Sequence, residues 1–274
     1  PEPSFVCYAP MVELTGGVAV PIETRVEDKF KLTAKQLIEK ITPKTKALIL
    51  PFPNNPTGAV MRREDLEEIA AVLRDKDIIV ISDEIYSELT YGGVPHVSIA
   101  EIDGMKERTI VINGFSKAFA MTGWRLGFAA GPEPILTQML KIHQYAIMCS
   151  PTVSQFAAVT ALRECRADVD NMVSEYDMRR KLIVKGFNEM GLECFEPEGA
   201  FYVMMNIEKL IGKTIGGTLI NSSDDFAMAF LEKELVAVVP CSGFGAPNFV
   251  RWTYATSMEN IKEGLDRLER FLKS

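Results

Sequence analysis

Histidine and cysteine are both scarce in this sequence, and each scarcity argues against a class of site. Only two histidines and five cysteines occur among 274 residues. His96 and His143 are remote from any partner motif, so we expect ordinary structural or surface residues and no metal site. The cysteines are odd in number and never form a CxxC pair. This pattern is typical of reduced thiols in a cytoplasm and argues against zinc and disulfide frameworks.

Basic charge and long apolar runs are lacking too. The net charge of −7 argues against a general binder of nucleic acid or of membrane surfaces. No apolar run reaches membrane-spanning length and no signal-peptide pattern occurs, so we expect a cytoplasmic protein without a membrane partner. The hydrophobic fraction of 47% is enough for a large core in one or two domains. Because the chain opens on Pro1-Glu2-Pro3 without methionine, we also expect a fragment that lacks its N-terminal part.

Strands and helices alternate in the first half of the chain. Apolar strands are predicted at 46–50, 78–82 and 109–112, with helices at 11–14, 34–41 and 63–74, of which the second opens on a Thr33-x-x-Gln36 capping box. This order predicts an α/β fold with a mostly parallel sheet and helices on both faces. Asn55, Asp83 and the loop before Lys117 follow the carboxyl ends of these strands. Ligands bind at such ends, so we expect one site there.

The second half has a different character and predicts a smaller α+β C-terminal domain. Helices are predicted at 133–144, 153–164, 169–190, 226–234 and 259–272. Strands are predicted here at 192–195, 200–205, 236–239 and 249–254, with a Gly/Ser-rich loop at 212–223. The two remaining predicted strands, 18–22 and 126–131, belong to the first half. We place the larger domain at 1–166 and the smaller one at 167–274.

Lys117 is the residue around which a chemical hypothesis forms. It stands among small and aromatic residues between two predicted strands. Burial disfavours the charged form of a lysine, and a neutral amine attacks aldehydes. Lys117 is therefore a candidate Schiff-base lysine, although local chemistry leaves a plain surface lysine open. Arg125, eight residues on, offers a permanent charge to a phosphate or carboxylate.

Four motifs together identify a family. GFSK at 114–117 with RLG at 125–127 resembles the cofactor-attachment signature of class I/II pyridoxal-phosphate aminotransferases. NPTG at 55–58 and DEIY at 83–86 resemble the family's other two site motifs, in the same order. Arg251, within FVRWTYAT at 249–256, resembles its substrate arginine. The resemblance covers the whole chain. Within the family, the sequence is most similar to the bacterial and archaeal branch of aspartate and aromatic aminotransferases.

The resemblance implies a role for each position. Lys117 would hold pyridoxal 5′-phosphate covalently and shuttle the proton at the substrate Cα, and Asp83 would pair with the pyridinium nitrogen. Asn55 and Tyr86 would hydrogen-bond the 3′ oxygen of the cofactor ring, and Asn55 would also take part in substrate binding. Arg125 would bind the cofactor phosphate, and Phe5 would stack on the cofactor ring. Arg251 would bind the substrate α-carboxylate.

Backbone features and departures also follow from the resemblance. It implies cis peptides at Glu2-Pro3 and Asn55-Pro56. Gly114 stands where several members carry serine or threonine. Cys241 stands where glycine is usual, so its backbone must be unstrained, and oxidation of its thiol is an open alternative. The family's N-terminal segment, with its glycine-rich phosphate-binding turn, is not in this sequence, so we expect weak cofactor binding and poor turnover by this chain.

The predicted function is transamination between an amino acid, aspartate or aromatic, and a 2-oxo acid such as 2-oxoglutarate. A homodimer with sites at the subunit interface is implied by the family. Two alternatives stay open at this point: a C–S lyase acting by β-elimination on the same fold, and a cofactor-sensing domain of a transcription regulator.

Overall fold

A computed structural model describes residues 1–93 and 95–274, which divide into two compact units. The first unit comprises Pro1, Lys31–Pro53 and Ala59–Val173. The second comprises Glu2–Phe30, Asn54–Gly58 and Ser174–Ser274. The predicted domains at 1–166 and 167–274 stay a prediction.

The helices follow the predicted positions, with ends that differ by a few residues. They are α1 (Tyr8–Leu14), α2 (Ala34–Lys40), α3 (Arg63–Leu73), α4 (Glu133–Ala146), α5 (Thr152–Glu164), α6 (Arg166–Glu189), α7 (Ser223–Glu234) and α8 (Met258–Leu272). The capping box at the start of α2 is present, with Gln36 N–H donating to Thr33 Oγ1 and Gln36 Oε1 accepting from Thr33 N–H. Among the described residues, no helix is long and apolar enough to cross a membrane.

Within the described residues, the strands form three separate sheets. They are β1 (Ala47–Pro51), β2 (Ile79–Asp83), β3 (Thr109–Gly114), β4 (Gly127–Ala130), β5 (Tyr202–Asn206), β6 (Thr214–Ile215), β7 (Thr218–Leu219), β8 (Val239–Pro240) and β9 (Phe249–Thr253).

The sheet of the first unit has the order β1-β2-β3-β4. The pairs β1/β2 and β2/β3 are parallel, whereas β4 runs antiparallel to β3 at the edge. Pro51 pairs with Asp83, and Asp83 pairs with Ile112, so these carboxyl ends share one edge of the sheet. The predicted α/β class with a mostly parallel sheet is confirmed.

Helix α3 shows how the apolar pattern fixes the packing of this unit. The residues at helical spacing, Leu66, Ile69, Ala70 and Leu73, are all buried. Leu50 of β1 and Val80 of β2 are buried as well. Burial of such side chains contributes roughly 1.5–3 kcal/mol each for the larger ones, and it holds the strand ends in place.

The second unit is built on an antiparallel sheet of order β5-β9-β8. Its core is aromatic. Phe230 packs against Phe271 and Trp252 at ring-centroid distances of 5.2 and 5.7 Å, and Phe187 lies 5.3 Å from Trp252. Strand β9, which carries Arg251, is the central strand of this sheet, and its Trp252 packs into the aromatic core.

Two predicted strands are wrong. Residues 18–22 are not a strand: Val18 and Val20 are exposed, and Pro21 has no N–H to donate to a ladder. The nearest strand pairing is an isolated bridge just after the segment, between Glu23 and Glu2. Residues 192–195 likewise form no strand and make a single bridge, from Cys194 to Met205. The prediction failed here because a pattern of only four residues is too short to distinguish a strand from a loop.

Two further boundaries are corrected. The segment 212–223, predicted as a loop, contains the hairpin β6/β7, and Gly216 and Gly217 form its two-residue turn at φ values of 59° and 80°. Such a turn needs positive φ at both positions, which suits glycine. The strand predicted at 236–239 begins only at Val239, since Leu235 ends α7 in the left-handed conformation at φ 55°.

Candidate active site

The loop that carries Lys117 is fixed by apolar anchors. It leaves β3 at Gly114 and turns back through hydrogen bonds from Phe119 N–H and Met121 N–H to the Phe115 carbonyl. Phe115 and Met121 are buried and pack with Ala158 of α5. The loop conformation therefore follows from core packing on both sides of the lysine.

Lys117 itself is half-buried and faces an aromatic ring. Its Nζ lies 5.8 Å from the ring centroid of Tyr86, which is only 5% exposed. In its protonated form, a lysine ammonium within about 6 Å of a ring centroid is attracted by the negative face of the ring. The structure thus brings together Lys117 and Tyr86, two of the predicted site residues.

Asp83 is the last residue of β2, as predicted from the sequence. Its Oδ1 accepts the backbone N–H of Ile85 at 3.2 Å, which closes the turn leading to Tyr86. The strand register places Asp83 beside Pro51 and Ile112, at the carboxyl edge of the sheet. This edge is where open α/β sheets bind their ligands.

Arg125 follows a short 3-10 turn, Thr122–Trp124, and precedes β4. It is exposed, adopts a left-handed backbone conformation at φ 51°, and donates from Nη1 to the Thr122 carbonyl at 2.9 Å. A non-glycine residue at such φ costs of order 1–3 kcal/mol.

The glycine at position 114 has a packing reason. A Cβ added there would lie 2.9 Å from both the Gly127 Cα and the Leu126 carbonyl oxygen. Gly114 and Gly127 are register partners in the β3/β4 pair, so the two backbones meet closely. A serine or threonine at this position would require β4 to shift, which accounts for the departure from the family pattern.

Arg251 and Asn55 meet in the second unit, although 196 positions separate them in sequence. The Arg251 Nη1 donates to Asn55 Oδ1 at 2.7 Å. The guanidinium carbon lies 4.3 Å from the ring centroid of Tyr202 and 4.9 Å from that of Phe244. Two rings and one amide oxygen thus hold a half-buried cation, which is arranged to offer its remaining donors to an anion.

The turn that carries Asn55 is closed by its neighbours. Asn54 Oδ1 accepts from the backbone N–H and the hydroxyl of Thr57, at 3.1 and 2.9 Å. Gly58 donates from its N–H to the Asn54 carbonyl and has φ 72°. A Cβ on Gly58 would lie 2.3 Å from Pro197 Cβ, so only glycine fits.

Phe5 and the predicted cis peptides lie in irregular backbone. Phe5 is 44% exposed, with its ring edge-on to Tyr8 at 6.4 Å, and the role of Phe5 in stacking on a cofactor stays a prediction. Both predicted cis bonds, Glu2-Pro3 and Asn55-Pro56, are confirmed. A third, Phe52-Pro53, was not predicted from the sequence.

Cys241 has the unstrained backbone that was predicted, with φ −93°. Its side chain is fully buried, and burial raises the pKa of the thiol to about 12, against a smaller lowering by the charge of Arg251. Since the thiolate is the reactive form, this thiol is inert in the folded protein.

Sequence reasoning missed Tyr202 and Phe244, the two rings around Arg251. No local signal reveals them, because aromatic residues in strands and turns are common core residues.

His96 was predicted to be structural or surface, and it lies 2.8 Å from the buried carboxylate of Glu84. His143 lies exposed on α4, and the described residues contain no cluster of potential metal ligands.

Comparison with known proteins gives relatives along the entire chain. An aspartate aminotransferase of Pyrococcus abyssi is 48% identical over 100% of this chain and 69% of its own length. Aromatic-amino-acid aminotransferase 2 of Thermococcus litoralis is 46% identical over the same shares of the two chains. The crystal structure of an aromatic aminotransferase from Pyrococcus horikoshii matches with a TM-score of 0.92 at 47% identity, covering 99% of this chain and 71% of that one.

The family model described as aminotransferase class I and II matches residues 1–268. Nothing in these comparisons favours the C–S lyase or the regulatory-domain alternative. With a match of that extent and relatives nearly half identical throughout, this chain belongs to the class I and II aminotransferases and is an enzyme that transfers nitrogenous groups.

Proposed function

We propose that this chain binds pyridoxal 5′-phosphate and transfers an amino group from aspartate or an aromatic amino acid to a 2-oxo acid such as 2-oxoglutarate. The observation that carries the proposal is the half-buried Lys117, whose amine lies 5.8 Å from the ring centroid of Tyr86. Two relatives are named for aspartate and for aromatic amino acids, which supports this pair of substrate classes.

The donor set of the first unit fits this cofactor by its chemistry. The amine of Lys117 suits the aldehyde of the cofactor, and the carboxylate of Asp83 suits its ring nitrogen. The phenol of Tyr86 suits the ring hydroxyl, and the guanidinium of Arg125 suits the phosphate. When bound, the cofactor supplies an electron sink for the bonds at the substrate Cα. The predicted contacts of Phe5 and Asn55 with the ring belong to the same proposal.

Lys117 and Asp83 have separate tasks in this proposal. The Lys117 Nζ would take the proton from the substrate Cα and deliver it to C4′ of the cofactor, since a lysine amine on a constrained loop acts as a positioned base. The Asp83 carboxylate would form an ion pair with the ring nitrogen of the cofactor and so favour its protonated form. Both tasks depend on the fixed β2 end and the anchored loop described above.

Arg251 binds the substrate α-carboxylate in this proposal. A planar guanidinium forms a two-pronged pair with a carboxylate, which gives orientation as well as affinity. The hydrogen bond to Asn55 and the rings of Tyr202 and Phe244 fix the plane of that guanidinium before substrate arrives. Such preorganisation lowers the entropy lost on binding.

An absorbance titration with pyridoxal 5′-phosphate tests the proposal. Wild type should develop a visible band that Lys117→Ala lacks. Lys141→Ala is the matched control, because Lys141 is an exposed lysine on α4 whose amine donates to Gln138 Oε1 at 3.1 Å. Amino transfer from aspartate and from phenylalanine to 2-oxoglutarate is measured next. A band that is equal in wild type and Lys117→Ala refutes the role of this lysine.

We also propose a homodimer and a cytoplasmic location. Helices α4 and α5 expose large apolar side chains, among them Tyr145 at 93% and Phe156 at 73% exposure. Large exposed apolar groups of this kind mark interaction surfaces. All five cysteines are free, which suits a reducing compartment. Light scattering on the purified protein gives the oligomeric state, and a monomer at micromolar concentration refutes the dimer.

A further inference from the structure

A buried carboxylate next to Asp83 takes no part in the proposed amino transfer. Glu84 is 4% exposed. Its Oε1 accepts from the hydroxyls of Ser82 and Ser98 at 2.8 and 2.7 Å, and its Oε2 lies 2.8 Å from His96 Nε2. A charged group buried to this degree is tolerated only where it is fully hydrogen-bonded or paired, which these three partners achieve.

The carboxylate stays charged at neutral pH. Burial by itself raises the pKa of Glu84, but the hydrogen bonds from His96, Ser98 and Ser82 and the charge of His96 outweigh it, so the net pKa lies below 4.5. His96 comes from the segment after the β2 turn, with 16% of its side chain exposed. The cluster therefore clamps two pieces of backbone that are twelve residues apart.

The backbone of Glu84 holds the turn that carries Tyr86. Its N–H donates to the Ile112 carbonyl of β3 at 2.8 Å, and its carbonyl accepts the N–H of Ser87 at 2.9 Å. Asp83 and Tyr86 flank it on either side within this turn. A shift of the Glu84 side chain therefore moves both of these neighbours.

The same turn is joined to the strand that leads to Lys117. Asn113 Nδ2 donates to Ser87 Oγ at 3.0 Å, and Asn113 Oδ1 accepts the N–H of Gly114 at 2.7 Å. A continuous set of hydrogen bonds thus runs from the Glu84 cluster to the start of the lysine loop.

We propose that Glu84, clamped by His96 and Ser98, is a positioning residue that sets the orientation of Tyr86 and Asp83 toward the cofactor ring. The inference rests on the proposed function, since it assigns the ring contacts to those two residues. A purely structural carboxylate would stabilise the fold without affecting the electronic state of the bound cofactor.

The test is a double-mutant cycle on cofactor binding. Dissociation constants for pyridoxal 5′-phosphate, and the pH midpoint of the visible band, are measured for wild type, Glu84→Gln, Tyr86→Phe and the double variant. We expect Glu84→Gln to move the pH midpoint in the same direction as Tyr86→Phe. The effects of the two changes on the dissociation constant should be non-additive by at least about twofold, since groups that act through one another couple.

Controls separate positioning from folding. Glu88→Gln is the matched control, because Glu88 lies nearby in sequence but pairs at the surface with Arg166 and should leave the band unchanged. If Glu84→Gln does not fold, His96→Ala takes its place in the cycle, and His96→Gln, which keeps an N–H donor, should restore the wild-type midpoint.

Two outcomes overturn the inference. Additive effects of Glu84→Gln and Tyr86→Phe, or an unchanged pH midpoint in Glu84→Gln, show that Glu84 is structural only, while the proposed function stands. A wild-type protein whose spectrum with cofactor equals that of Lys117→Ala refutes the proposed function, and the inference fails with it.

Discussion

Replacing Gly58 by alanine probes how tightly the turn of Asn55 is packed. Gly58 has φ 72°, and a Cβ there would lie 2.3 Å from Pro197 Cβ and 2.8 Å from the Gly199 carbonyl oxygen. The Gly58 carbonyl also accepts the N–H groups of Glu198 and Gly199, at 2.9 and 2.8 Å. The added methyl group therefore meets backbone on a segment that two hydrogen bonds hold in place.

The magnitude follows from two contributions. A non-glycine residue in the left-handed region costs about 1–2 kcal/mol. Overpacking by one methyl group against fixed neighbours adds about 1–3 kcal/mol. Gly58→Ala should thus lower the free energy of unfolding by about 2–5 kcal/mol, as measured by urea unfolding followed by circular dichroism.

Gly104→Ala is the matched control for this experiment. Gly104 has φ 76°, but a Cβ there meets nothing within 4 Å, so only the cost of about 1–2 kcal/mol for the backbone conformation applies. Gly58→Ala should also weaken binding of maleate, a dicarboxylate that cannot react, since the turn positions Asn55 against Arg251. Equal destabilisation by the two alanines would refute the packing argument.

Three further predictions concern Arg251, Cys241 and Glu84. Arg251→Lys should lower kcat/KM for the amino acid roughly 10- to 100-fold, because a lysine loses the second prong of the pair at a cost of about 1.5–3 kcal/mol, and steady-state kinetics measures this. Cys241 should resist iodoacetamide at pH 8 in the folded protein and react only on unfolding, whereas the exposed Cys149 reacts at once; mass spectrometry of labelled peptides decides. The folded pKa of Glu84 lies below its unfolded value of 4.5, so the contribution of this carboxylate to stability is present above pH 4.5 and is lost as the pH falls through the folded pKa. Glu84→Gln should therefore reduce the fall of the urea unfolding midpoint with decreasing pH. An equal fall in wild type and Glu84→Gln would contradict this prediction.

Local sequence pattern determined most of the secondary structure. The spacing of Leu66, Ile69 and Leu73 specified the buried face of α3, and Thr33 with Gln36 specified where α2 begins. These signals work because periodicity and capping act within a few residues. They fail where one residue interrupts a pattern, as Pro21 does in the segment wrongly predicted as a strand.

The chemical identity of the candidate site was also contained in the sequence. Lys117, Asp83, Asn55 and Arg251 stand in short motifs whose residue types match one cofactor chemistry, so the family could be recognised before any fold was known. Their positions at strand ends follow from the alternation of strands and helices.

Tertiary structure alone decided how these residues are held. The contact of Arg251 with Asn55 joins positions 196 apart, and the rings of Tyr202 and Phe244 come from different elements. The clamp on Glu84 and the close approach of Gly58 to Pro197 likewise join residues that are not neighbours in sequence. Residue type and local spacing are properties of the sequence, so the candidate groups of the site could be named from it. Only the fold decided which side chains orient those groups, because orientation depends on contacts between distant segments that no local pattern encodes.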